Sequence, residues 1–200
     1  MILAQAEIRS KLATGAIRFD PQLEDRQWGE AGVNLRLGQK FTKFLPKKGV
    51  TFSMAEGIGA LADTGLWVEE TYEETDKMGK RRSYPLEPNE FVLAQTFERI
   101  WIPRHLIGMV EGRSTYARAG LSMHQTAPWL QPGWNGQITL EIRNSGNNVI
   151  MLTPIVDQPC QVMFMKLSSE VPEKDAYGSR ASDVFQNQTS ALPTQRGKSS

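Results

Sequence analysis

Residues 137–144, Gln137-Ile138-Thr139-Leu140-Glu141-Ile142-Arg143-Asn144, alternate apolar and polar side chains. An extended chain sends successive side chains to opposite faces. The run therefore predicts a β-strand with Ile138, Leu140 and Ile142 on one face and Thr139, Glu141 and Arg143 on the other. The apolar face needs a core to cover it, so the strand belongs to a sheet that packs on another layer. Glu141 has two readings. In a cleft or a closed oligomer it is a buried carboxylate, tuned by burial toward proton transfer. On a solvated face it is an ordinary exposed strand residue.

Working outward, further short β-rich runs appear at Val33–Leu37, Phe91–Phe97, Ile100–Ile102, Leu106–Val110, Val149–Thr153 and Gln161–Leu167. Pro132-Gly133, Asn135-Gly136 and Ser145-Gly146 mark turns between them. Many short strands at close spacing predict an antiparallel barrel or sandwich rather than a parallel sheet. Leu3, Ile8 and Leu12 predict a short N-terminal helix over residues 2–14, stopped at Gly15. Residues 46–88 are rich in Gly, Glu and Lys and read as loops and hairpins, with a strand around Leu66 to Val68. After Pro172 the aliphatic content drops. The expected division is a β domain over residues 1–172 and a tail over 173–200 that orders only against something else.

The chain has 200 residues with 23 Lys+Arg and 22 Asp+Glu, a net charge of +1. That balance argues against a nonspecific nucleic-acid binder, which carries a basic excess. No basic segment followed by an apolar run opens the sequence, and no stretch reaches the length of a membrane span. One cysteine, Cys160, excludes an internal disulfide and suits a reducing compartment, so the expectation is a cytoplasmic protein with no membrane partner. Cys160, His105 and His124 are too few and too scattered for a closed zinc site.

Two other segments carry chemistry. Gly112-Arg113-Ser114-Thr115-Tyr116-Ala117-Arg118-Ala119-Gly120 places hydroxyls and arginines at the start of a helical turn, with Ser114 and Arg118 one turn apart. Such a start offers free N–H groups to an anion. A capped surface turn with two solvated arginines is the alternative. His124 through Gly136 is a turn-rich connection with Trp129 and Trp134, which form either an aromatic wall for a flat ligand or a plug at one end of the β domain.

Together the three segments resemble the dCTP deaminase branch of the dUTPase-like superfamily. The matching pieces are Gly112–Gly120, the Thr126–Gly136 hairpin and Ile138-Thr139-Leu140-Glu141, in order and with the right spacing. Gly32-Val33-Asn34-Leu35-Arg36-Leu37-Gly38, Phe91 through Pro103 and Tyr177 through Gln188 extend the resemblance over most of the chain. It implies a mainly β, distorted jelly-roll or β-barrel fold with a short N-terminal helix and one short internal helix. It also implies a homotrimer with active sites between subunits, a tail that covers the nucleotide, and magnesium carried by the triphosphate. Glu141 matches the catalytic glutamate, assisted by Ser114, Arg118 and Ala127. Nucleotide contacts fall to Arg113, Ser114, Thr115, Arg118, Trp129, Gln131, Thr139, Leu140, Gln161, Tyr177 and Gln188.

The implied activity is hydrolytic deamination of dCTP to dUTP and ammonia. Zinc cytidine deaminases use a His-x-Glu and Pro-Cys-x-x-Cys pair. Here Pro159-Cys160 lacks the second cysteine and neither histidine is followed by x-Glu, which leaves a carboxylate-only route. Trp129 and Gln161 look like the bifunctional relatives that form dUMP and pyrophosphate. Gln131, where a sugar-contacting Asp is usual, does not, and Val184 stands where a phosphate-binding Lys is usual. A non-catalytic nucleotide-binding regulator is the reading from another class.

Overall fold

The computed structural model describes residues 1–73, 75–76, 78–80 and 82–192. Twelve strands and three short α-helices are present among them. Helix α1 (Gln5–Ala13) leads into β1 (Arg18–Asp20), β2 (Val33–Leu35) and β3 (Leu37–Phe44). A 3-10 turn at Met54–Glu56 and helix α2 (Ile58–Asp63) precede β4 (Trp67–Thr71) and β5 (Tyr84–Leu86). Then come β6 (Phe91–Trp101), β7 (Leu106–Gly112), α3 (Ser114–Arg118), β8 (Leu121–Ser122), β9 (Trp129–Leu130), β10 (Asn135–Asn144), β11 (Ile150–Leu152) and β12 (Cys160–Lys166).

All pairings are antiparallel. One sheet runs β4-β3-β6-β10-β8, with β1 also on β6; a second runs β2-β12-β7-β9; β5 and β11 form a small third. The strands are in separate sheets and do not close into a barrel, so of the two expected forms the sandwich-like one is correct. The inner faces of both larger sheets share one core, which includes Ile8, Leu35, Leu37, Phe41, Ile100, Leu140 and Phe164. No helix among the described residues is long and apolar enough to cross a membrane.

Two expectations are corrected. The separate runs 91–97 and 100–102 are one strand, β6, interrupted by Glu98-Arg99 only in hydropathy. Glu98 is fully buried yet satisfied: it accepts from Gln27 Nε2 (2.8 Å), Arg36 Nε (2.6 Å) and the Arg36 backbone N–H (2.9 Å). Arg36 in turn pairs with Glu24. Residues 46–88 contain a helix, α2, that was not expected. Ile58 and Leu61 sit one turn apart and Leu61 is buried, so tertiary cover stabilises a helix too short to persist alone.

The pairing of Glu98 with Arg36 makes a sharp stability prediction. Glu98→Ala leaves the Arg36 charge without its buried partner and should cost about 3–5 kcal/mol in urea unfolding. Lys40→Ala, which breaks the exposed Lys40–Glu69 pair, should cost less than about 1 kcal/mol. His105 supplies a pH dependence. Its Nε2 lies 3.0 Å from Lys11 Nζ, and burial, then the Lys11 charge, hold its pKa below the usual 6.5. The unfolded chain thus binds the proton more readily. Stability from this site is complete above pH 6.5 and falls as the pH drops through the depressed folded value. Thermal melts across that window should show this slope, and His105→Gln should flatten it.

Candidate active site

Strand β10 alternates as its sequence demands, with Gly136, Ile138, Leu140, Ile142 and Asn144 buried. Across the ladder Glu141 lies opposite Leu93, and Thr139 opposite Gln95. Glu141, Leu93 and Thr139 line a cavity of about 380 Å³. Thr139 and Glu141 lie on its sheet side with Phe91 and Leu93; Ile58, Leu61 and Trp67 close it from α2 and β4. Ala127, Trp129, Gln131 and Trp134 come from the turn-rich connection, and Tyr177, Phe185, Gln188, Ala191 and Leu192 from the tail.

Glu141 is half-buried, and the solvated reading of this residue gives way to the cleft. Its Oε2 accepts from the backbone N–H of Gln125 (2.9 Å), while Gln125 Nε2 donates to the Glu141 carbonyl (3.1 Å). The Glu141 N–H reaches the Met123 carbonyl (3.0 Å). One carboxylate oxygen is thus fixed by main chain and the other is left to accept from water. Gln125 was not singled out from sequence; nothing in its spacing distinguishes it from its polar neighbours.

The tail is zipped onto the β domain through residue 192, and the expected continuation over 193–200 lies outside the described residues. The Tyr177 N–H bonds to the Pro132 carbonyl (2.9 Å), and the Tyr177 ring packs on Trp134 at 5.2 Å. Gln186 Nε2 donates to the Gly133 carbonyl (3.0 Å) and its Oε1 accepts from Asn135 N–H (3.1 Å). The Asn187 N–H reaches the Asn135 carbonyl (2.7 Å). Gln188 Nε2 donates to the Gln137 carbonyl (2.7 Å) and to Thr139 Oγ1 (3.1 Å). Gly133 makes room for this: it holds φ +90°, and a Cβ there would lie 3.1 Å from Ala176 Cβ. Trp67 Nε1, Trp134 Nε1 and Gln188 Oε1 are buried without partners among the described residues, and all three side chains line the cavity.

The cavity therefore gathers Glu141, Ala127, Trp129, Gln131, Thr139, Tyr177 and Gln188. It does not include the other expected residues. Leu140 points into the core and is fully buried. Gln161 lies on β12 opposite Glu111 and Asn34. Ser114, Thr115 and Arg118 are exposed on α3, and Arg113 is half-buried beside it. Helix α3 is nonetheless firmly held. Arg113 Nη1 donates to the Gln158 carbonyl (3.0 Å), and Tyr116 donates to Asp157 (2.9 Å) while accepting from Gln158 N–H (3.2 Å). Burial and Asp157 push the Tyr116 pKa up to about 12, so it remains a donor at neutral pH. Val184 is exposed and does not line the cavity. His124 Nε2 faces Glu111 at 3.3 Å, a structural contact outside the cavity.

A half-buried strand carboxylate in an apolar, tail-covered cavity on a mainly β scaffold defines a small-ligand site rather than a macromolecular surface. Residues 2–167 match the dCTP deaminase-like family, and the chain belongs to that family. A protein of Methanosphaera stadtmanae named dCTP deaminase, dUMP-forming, is 34% identical over 91% of this chain and 86% of its own length. A dCTP deaminase of Rhodospirillum rubrum is 32% identical over 97% of this chain and 96% of its own. The crystal structure of 2′-deoxycytidine 5′-triphosphate deaminase from Agrobacterium tumefaciens shares the fold, with a TM-score of 0.61 and 18% identity over 86% of this chain. This chain spans half the length of that one.

Gly133→Ala should push the tail off its turn. Trypsin should then cut at the exposed Lys174 and Arg180 several-fold faster than in the unaltered protein, with the mass of the released fragments as the readout.

Proposed function

We propose that this protein is an enzyme that deaminates dCTP to dUTP and ammonia in pyrimidine deoxynucleotide metabolism, with Glu141 as a zinc-independent general acid and base. The observation that carries the reading is Glu141 in the tail-covered cavity, one oxygen fixed by the Gln125 N–H. The names of the relatives from Methanosphaera stadtmanae and Rhodospirillum rubrum support the substrate.

In this reading Glu141 removes a proton from water as the water oxygen adds to C4 of the base. The proton passes to N3, C4 becomes tetrahedral, and the C4–N4 bond breaks as the amine takes the C4 hydroxyl proton, relayed by Glu141. Ammonia leaves and a C4 carbonyl remains. The Ala127 backbone lies beside the attacking water, while Thr139, Trp134 and Gln188 hold the nucleoside. The largely apolar wall excludes bulk water and strengthens the few polar contacts.

Arg113, Ser114, Thr115 and Arg118 match the triphosphate cradle, and their cations and hydroxyls suit phosphate oxygens. Three of the four are exposed and none lines the cavity around Glu141. This supports a homotrimer in which α3 of one subunit completes the site of the next. Magnesium, when bound, offsets phosphate charge. Cys160 is fully buried and burial pushes its thiol up, in keeping with a free structural cysteine.

A second reading, formation of dUMP and pyrophosphate from dCTP, has support in Trp129, which lines the cavity, and in the name of the Methanosphaera stadtmanae relative. Gln131 weighs against it, because the cavity wall lacks a carboxylate at that position.

Purified protein given dCTP and magnesium should release ammonia and accumulate dUTP by anion-exchange chromatography. Pyrophosphate and dUMP instead of dUTP would establish the second reading. Glu141→Gln should lower turnover by about 10²- to 10⁴-fold. Undiminished activity in that variant would refute the role of Glu141. Sedimentation should give a mass of three chains.

A further inference from the structure

Gln95 is out of place in its strand. It follows Phe91-Val92-Leu93-Ala94, is 2% exposed, and is a primary amide where its neighbours are apolar. A buried amide needs partners. With its amide oriented to satisfy both groups, it donates to the Thr189 carbonyl (3.0 Å) and accepts from the Ser190 N–H (3.1 Å). Both partners are tail backbone. Among the described residues the β domain supplies no other partner for this side chain, so its bonding depends on the tail.

The surrounding register explains why this position matters. Gln95 lies directly across from Thr139, whose hydroxyl receives Gln188 Nε2. Residues 186–188 run beside the start of β10, and residues 188–190 then cross the sheet face over the Thr139–Gln95 pair. Ala191 and Leu192 follow into the cavity wall beside Leu93 and Glu141. Gln188 anchors one side of this crossing and Gln95 the other.

We propose that Gln95 is a positioning residue that latches the tail closed over the nucleotide site, acting through the Thr189 and Ser190 backbone. The latch deepens the proposed nucleotide site and rests on that reading for its effect on turnover, though not for its effect on the tail. Gln95→Leu keeps the shape and burial of the strand position while removing both bonds. It leaves the Thr189 carbonyl and Ser190 N–H to seek water, which favours the open tail.

The test is amide hydrogen exchange on the full-length protein without nucleotide, followed by steady-state kinetics with dCTP. In Gln95→Leu, the Ser190 and Asn187 amides should exchange about tenfold faster or more, on the scale of two lost hydrogen bonds. Core amides such as that of Glu141 should keep their rates. The dCTP KM should rise several-fold with kcat changed less, because the chemical groups are untouched. Ser190→Pro removes the same N–H from the tail side without touching the sheet. It should speed Asn187 exchange similarly, and the double variant should add little to either single change. Unchanged Asn187 and Ser190 exchange in Gln95→Leu, or full additivity of the two variants, would overturn the latch. If the unaltered protein does not turn over dCTP, the deaminase reading fails while the exchange data still decide the latch.

Discussion

The carboxylate of Glu98 organises the molecule more than any other single group. It sits on β6 within the stretch where the ladder to β10 shifts register between Gln137 and Thr139, just beyond the point where the ladder to β3 shifts between Leu37 and Phe41. Buried charge at such a point is tolerable only with several donors, and Arg36 and Gln27 supply them. Thr96 completes the junction: its Oγ1 accepts from the Ile138 N–H, and the Gln137 side chain donates to the Thr96 carbonyl. With these groups paired, the backbone tolerates the offset. Beyond it, Leu93 and Gln95 face the same side as Glu141 and Thr139. The cavity floor is a consequence of that phase.

The tail then finishes the site by a second set of main-chain bonds. It borrows the starting edge of β10 at Asn135 and Gln137, which β8 does not reach because that strand pairs only with Arg143 and Asn144. Its ordering cost is offset by five polar side chains, Asn135, Gln186, Asn187, Gln188 and Gln95, and by the packing of Ala176, Tyr177, Phe185 and Ala191. An element held in part by hydrogen bonds at a surface opens more cheaply than one held by core packing alone. That suits a segment that must admit and release a ligand.

Much of this was legible in sequence where local pattern and tertiary demand agree. Gln137–Asn144 is a strand because its alternation matches its two environments, and Ile8 marks the buried face of α1. Glu98 misled because hydropathy treats a carboxylate as a surface residue, whereas its partners come from 62 and 71 positions away. Helix α2 was missed because Gly57, at φ +81°, opens it without a side-chain cap, and its apolar residues Ile58 and Leu61 line a cavity whose other walls come from distant segments. Of the site, the resemblance located Glu141 and the tail contacts, but it could not separate the residues this chain brings together from those on α3. Gln95 did carry a signal: a lone amide in an apolar run asks for a partner.

The polar inventory of the cavity points to the kind of ligand that fills it. Trp67 Nε1 and Trp134 Nε1 can only donate, and Gln188 Oε1 can only accept; each is buried without a partner among the described residues. An unpaired buried polar group costs about 1–3 kcal/mol. A purely apolar ligand would leave that cost in place, whereas a flat heterocycle with acceptors and a donor on its edge would relieve it. The nearest carboxylate, that of Glu141, is oriented by the Gln125 main-chain N–H.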